Sequence, residues 1–166
     1  MHTIRRVLKL NQLIFWTALF SCFLILNVTQ NVLASPVARG KGDLYAVIVG
    51  VSKYNDPNIP TLNLSDKDAR DLYSFINDRK SLFNKVKIQL FLNEKATRAN
   101  VSKALRDDLK PAGKDDMVLI YMSGHGAADP SRPDEYYFIT YDTQIDNLYG
   151  TALWMNQNAL FKGIDS

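Results

Sequence analysis

Residues 45–51 read YAVIVGV, seven residues without a polar side chain, four of them β-branched. A strand that faced water on one side would alternate apolar and polar residues, whereas this run does not. It is the pattern of a strand covered on both faces, as in a parallel sheet with helices above and below. The rest of the chain is read outward from it.

Downstream, a loop with Pro57 and Pro60 leads to Ser65. Ser65 stands where a helix cap is expected, with Asp66 and Asp68 in the first turn and Ala69, Leu72, Tyr73 and Ile76 on one face. KVKIQLFL, residues 85–92, places Val86, Ile88 and Leu90 on one side and Lys85, Lys87 and Gln89 on the other, which predicts a half-covered strand. Thr97 is expected to cap a second helix with the apolar face Val101, Ala104, Leu105 and Leu109, ended by Pro111 and Gly113. Met117 to Met122 is again wholly apolar and reads as an interior strand. EYYFITYD, residues 135–142, reads as a strand or hairpin arm, and Met155 to Phe161 as a short helix stopped by Gly163. Strand, helix, strand, helix, strand at this spacing predicts an α/β fold with a mostly parallel sheet flanked by helices.

Upstream, Arg5, Arg6 and Lys9 precede an uncharged stretch from Leu13 to Val28, and Val32-Leu33-Ala34 supplies small residues before Ser35. Residues 1–34 therefore read as a secretory signal peptide. A signal anchor is the alternative, since the apolar stretch nearly reaches the roughly 20 residues that span a bilayer. Residues 35–43, with Pro36, Gly40 and Gly42, read as a linker, and the domain as 44–166. The expected location is periplasmic or extracellular, with membrane attachment through residues 13–28 only if the leader is uncleaved.

The whole chain has 20 basic and 17 acidic residues, but the leader holds three of the basic ones and none of the acidic. The exported domain is thus neutral. It lacks the basic stripe a nucleic-acid partner would need. Cys22 is the only cysteine and lies in the leader, so the domain has no disulfides and must be held by its core.

In open α/β sheets, chemistry gathers beyond the carboxyl ends of the strands. Ser123-Gly124-His125-Gly126 sits at such an end. Glycines there let the backbone turn, leave room for a substrate, and free an N–H to face it. A loop histidine between turn glycines is the plainer reading of the same four residues. Other chemistries fail on spacing. There is no Gly-x-Ser-x-Gly elbow, no third glycine after Gly40 and Gly42, no Walker lysine, and too few histidines and cysteines for zinc. Asp66, Asp68 and Asp71 lack the glycine of a calcium loop and read as helix-start carboxylates.

YAVIVGVSKY, LNLSDKDARDLYSFI and MVLIYMSGHGA, in this order, resemble the large-subunit half of the caspase and metacaspase superfamily of cysteine peptidases over roughly 44–166. The resemblance implies a caspase-like layer sheet and peptide-bond hydrolysis of a polypeptide substrate. It makes His125 the catalytic histidine and the backbone N–H of Gly126 an oxyanion donor. It also places Asp68 and Ser123 in the primary specificity pocket, where an acidic residue would favour cleavage after Arg or Lys. Lys67 and Ser65 depart from the asparagine and cysteine usual in that motif. No cofactor is expected, and calcium enters by family analogy alone. In this pattern the nucleophilic cysteine follows the histidine by about 50 residues, beyond Ser166. The expectation is a domain incomplete at its C-terminus, inactive alone for want of the thiol. A catalytically dead secreted binding module, and an unrelated exported domain in which His125 is structural, are the other readings.

Overall fold

The computed structural model describes residues 41–129 and 131–156. The expected leader, all but the last residues of the expected linker, and the expected helix from residue 157 onward lie outside them.

The central sheet has the order β2-β1-β3, all parallel, with β1 at Leu44–Gly50, β2 at Val86–Leu92 and β3 at Met117–Ser123. Every residue of β1 is buried. Its side chains divide by parity, as a pleated strand requires. Tyr45, Val47 and Val49 join a cluster with Val101, Ala104, Leu105 and Leu109 on one face, while Leu44, Ala46 and Ile48 join Ala69 and Ile76 on the other. Each such aliphatic side chain taken from water contributes about 1.5–3 kcal/mol.

Helix α1, Ser65–Asn77, covers the second face. It comes so close to the end of β1 that a Cβ on Gly50 would lie 2.4 Å from the Ser65 carbonyl oxygen and 2.6 Å from Ala69 Cβ. The cap of α1 differs from expectation. Ser65 is the first helical residue, almost fully buried, and its hydroxyl caps nothing. The hydroxyl of Ser52, fourteen residues before Asp66, instead accepts the Asp66 N–H at 3.0 Å.

Helix α2, Arg98–Lys103, opens as expected, with the Thr97 hydroxyl accepting the Asn100 N–H. From Ala104 to Asp108 it widens into a π-helical turn. The predicted apolar face is kept across the change, and Val101, Ala104, Leu105 and Leu109 are all buried. Among the described residues β2 is an edge strand, with Lys87 and Gln89 exposed. β3, read as interior, pairs with β1 alone among the described residues.

After β3 the chain builds a small antiparallel sheet of order β4-β5-β6, with β4 at Gly126–Asp129, β5 at Arg132–Phe138 and β6 at Leu153–Trp154. EYYF thus falls on a hairpin arm. A one-turn helix α3, Leu148–Thr151, precedes β6, while Met155 and Asn156, expected to open a helix, follow β6 without one. The Met155 N–H bonds instead to the Tyr136 carbonyl, 2.8 Å away, extending the sheet. Ile59, Tyr137, Ile139 and Ala152 form a third cluster beneath it.

Candidate active site

β3 delivers Ser123 and Gly124 to the carboxyl end of the parallel sheet, beside Gly50 in register. The Val51 N–H bonds to the Ser123 carbonyl at 2.9 Å, so the two chain ends leave the sheet together. From there residues 52–62 form a loop closed by the Leu62 N–H on the Ser52 carbonyl at 2.8 Å.

That loop holds His125 from several sides. The Tyr54 hydroxyl donates to the Val51 carbonyl at 3.1 Å and accepts the His125 backbone N–H at 2.9 Å. The two rings lie 5.4 Å apart at 33°. Burial pushes the Tyr54 phenol above its ordinary pKa, so it stays a neutral donor and acceptor. The His125 carbonyl accepts the Ile139 N–H at 2.9 Å. Its Nε2 lies 2.9 Å from the Pro60 carbonyl oxygen. A carbonyl can only accept, so Nε2 carries the proton and neutral His125 presents Nδ1 as its basic nitrogen.

A polar clasp fixes the start of the loop. The Ser52 hydroxyl donates to Asp66 Oδ1 at 2.6 Å, and Asn93 Nδ2 donates to Asp66 Oδ2 at 3.3 Å. Asn93 Oδ1 accepts the backbone N–H of Ser52 at 2.9 Å and of Lys53 at 3.1 Å. Asn93 adopts φ 44°, a left-handed conformation that asparagine tolerates better than most residues. The Ser52 hydroxyl, then Asn93 and backbone N–H groups, hold the Asp66 carboxyl below the usual carboxylate range against the opposing effect of burial. Ser52, Tyr54, Asn93 and the Pro60 carbonyl were not singled out by sequence reasoning, and Asp66 was read only as a helix-start carboxylate. The available signal was position, since Ser52 comes two residues after β1 and Asn93 directly after β2, at the sheet's carboxyl end.

Of the residues expected at the site, Ser123, His125 and Gly126 are contiguous there. Asp68 stands exposed on the first turn of α1, and its carboxylate makes no hydrogen bond or ion pair with those three; the carboxylate that faces inward is Asp66. The two glycines flanking His125 differ. A Cβ on Gly124 would come within 3.0 Å of Phe138 Cζ, whereas one on Gly126 would meet nothing nearer than the Tyr137 carbonyl oxygen at 3.6 Å.

The Gly126 N–H has a definite direction. Because the Ile139 N–H reaches the His125 carbonyl, Gly126 and Phe138 form a non-hydrogen-bonded pair of the β4–β5 ladder. In such a pair both backbone groups turn away from the partner strand. The Gly126 N–H therefore points to the outer side of β4, next to His125.

Cys22 lies outside the described residues. Among the described residues no three His, Cys, Asp or Glu side chains gather as ligands. Asp129, the one buried carboxylate among the described residues, is occupied by the Ser131 N–H at 2.8 Å and by Arg132 at 3.0 Å.

Known proteins bear on this arrangement in three ways. A family model described as the caspase domain, peptidase family C14, matches residues 43–161. No curated protein matches. Among solved structures, protein GSU0716 from Geobacter sulfurreducens is similar over 72% of this chain at 22% identity with a TM-score of 0.55, a likeness of fold. This chain spans 44% of that protein's length. The family match covers the parallel sheet, both main helices, the loop under His125 and the small sheet, and by it the chain belongs to the caspase-domain family of cysteine peptidases.

Proposed function

We propose that this chain supplies the histidine and one oxyanion donor of a caspase-like cysteine endopeptidase acting on polypeptides. The observation that carries this is the placement of His125, with Nε2 on the Pro60 carbonyl and the outward N–H of Gly126 beside it. The thiol is contributed by a cysteine outside the described residues.

In that reaction Nδ1 of His125 takes the thiol proton and the thiolate sulfur attacks the substrate carbonyl carbon. The C=O electron pair moves onto oxygen, where the Gly126 N–H stabilises it. As the tetrahedral intermediate collapses, the C–N bond breaks and Nδ1 returns the proton to the leaving amine, leaving a thioester. Water then adds with loss of a proton to Nδ1, and the acid product leaves as that proton returns to sulfur. The Pro60 carbonyl keeps Nδ1 as the nitrogen that trades protons. Asp68 and Ser123 are the proposed specificity residues, with Arg or Lys as the preferred side chain before the cleaved bond. The domain is proposed to work after export, in the periplasm or outside the cell.

The test is turnover of arginyl, lysyl and aspartyl fluorogenic peptides by the natural protein and by its His125→Ala variant. A loss of about 10²–10⁴-fold in kcat is expected for a missing general acid–base group. A second reading, a catalytically dead caspase-like binding module, draws on the one cysteine of the sequence lying in the leader. Peptide binding without turnover in the natural protein would establish it.

A further inference from the structure

Among the described residues β4 pairs only with β5, and its other side, which begins at His125, is an edge. The Gly126/Phe138 and Ala128/Tyr136 pairs are both of the non-hydrogen-bonded kind, since they alternate with Ala127/Tyr137. The N–H and C=O of Gly126 and of Ala128 therefore point outward. Both residues are exposed. The two outward pairs are spaced by two residues of strand, roughly 6.5–7 Å, the repeat at which an extended chain offers its own N–H and C=O. Over residues 126–128 the side chains are absent or a single methyl, so another backbone can approach to ladder distance. Edges exposed without purpose are commonly blocked by lysine, proline or a bulge. Here the ladder irregularity comes only between Ala128 and Asp129, after the two open pairs.

We propose that the outer edge of β4 is a docking rail for an extended peptide, which adds to the small sheet as a fourth strand through the backbone groups of Gly126 and Ala128. The occupant follows from continuity with His125. A peptide bond held at the Gly126 N–H lies beside the imidazole, and the residues beyond it run along Ala128. The naming of the occupant as substrate rests on the peptidase reading; the rail itself rests on the strand register. Recognition of this kind reads backbone conformation, with side chains entering only through pockets on either face. It selects unfolded or looped segments over folded ones.

The probe is a fluorescein-labelled seven-residue peptide of alternating threonine and valine with a central arginine, followed by anisotropy with the full chain. Three proteins are compared: wild type, His125→Ala and Ala128→Pro. Proline at Ala128 removes an outward donor and leaves the bonds to β5 in place, as proline on an edge strand does. Expected are retained binding by His125→Ala and binding weakened about tenfold by Ala128→Pro, the worth of one backbone hydrogen bond. Amide exchange in the wild type, followed by NMR, should slow at Gly126 and Ala128 on adding peptide and stay unchanged at Ala127. That measurement decides the matter even where Ala128→Pro fails to fold. Equal affinity of wild type and a folded Ala128→Pro, no binding by wild type, or protection only on self-association would each overturn the rail. Absence of turnover in the natural protein, with the Ala128→Pro effect intact, would overturn the peptidase reading and leave the rail standing.

Discussion

β1 and β4 meet at the same site and are built in opposite ways. β1 is bonded on both edges and covered on both faces, seven residues with none exposed. β4 has four residues, pairs on one edge among the described residues, and leaves Gly126 and Ala128 exposed. One strand supplies rigidity and the other access. His125, the proposed catalytic histidine, stands between them, at the entrance to β4, anchored by a loop that springs from the end of β1. A site of this kind can be firm where it must hold an imidazole and open where it must admit a chain.

Substitutions in the two strands should therefore differ widely in cost. Ile48→Ala, at a fully buried position of β1, should lower unfolding free energy by about 2–5 kcal/mol in urea titration. A loss under 1 kcal/mol would mean that β1 is not the core it is taken to be. Gly50→Ala forces a methyl onto the Ser65 carbonyl and should cost about 1–3 kcal/mol, read in the same titration. Tyr54→Phe strips the His125 N–H and the Val51 carbonyl of their shared partner and should cost about 1–2 kcal/mol, with a fall in any turnover that depends on His125.

Acid should act first on the clasp. The Asp66 carboxyl titrates below its ordinary value when folded, so its contribution is full above about pH 4 and is lost as pH falls through the lower folded-state value. Thermal midpoints measured from pH 6 downward should decline in that window, and less steeply in Asp66→Asn. Smallest of all should be Gly126→Ala, within about 0.5 kcal/mol of wild type, because its methyl has room. A cost equal to that of Gly50→Ala would erase the contrast between the strands.

The sequence shows the parallel sheet clearly because its signal is local. An unbroken β-branched run in β1, an alternating one in β2 and a threonine ahead of α2 each state their role within a few residues. The features that were hidden are those made by distant partners. Ser65 looks like the cap of α1, yet the hydroxyl that serves comes from Ser52 across a loop. Asp66 and Asp68 look alike in sequence, and only the fold turns the first toward Ser52 and Asn93. The Pro60 carbonyl carries no side-chain signature at all. The widening of α2 into a π turn leaves the apolar face in place, and so leaves the pattern unchanged. The helix expected from Met155 fails at its first two residues because the Met155 N–H is used by β5.

The parallel register has a consequence for the order in which the molecule comes together. Leu44 pairs with Val86 on one side and with Met117 on the other, and the Tyr54 hydroxyl meets His125 across 71 residues of sequence. Contacts this far apart carry large loop-closure costs and form slowly. During synthesis the loop that will hold the imidazole emerges long before the imidazole does. A chain in which β1 and β2 have joined while β3 is still undocked holds His125 with neither the Pro60 carbonyl nor the Tyr54 hydroxyl against it. The imidazole is directed only when the sheet closes, so the half-made protein holds the ring without a fixed orientation.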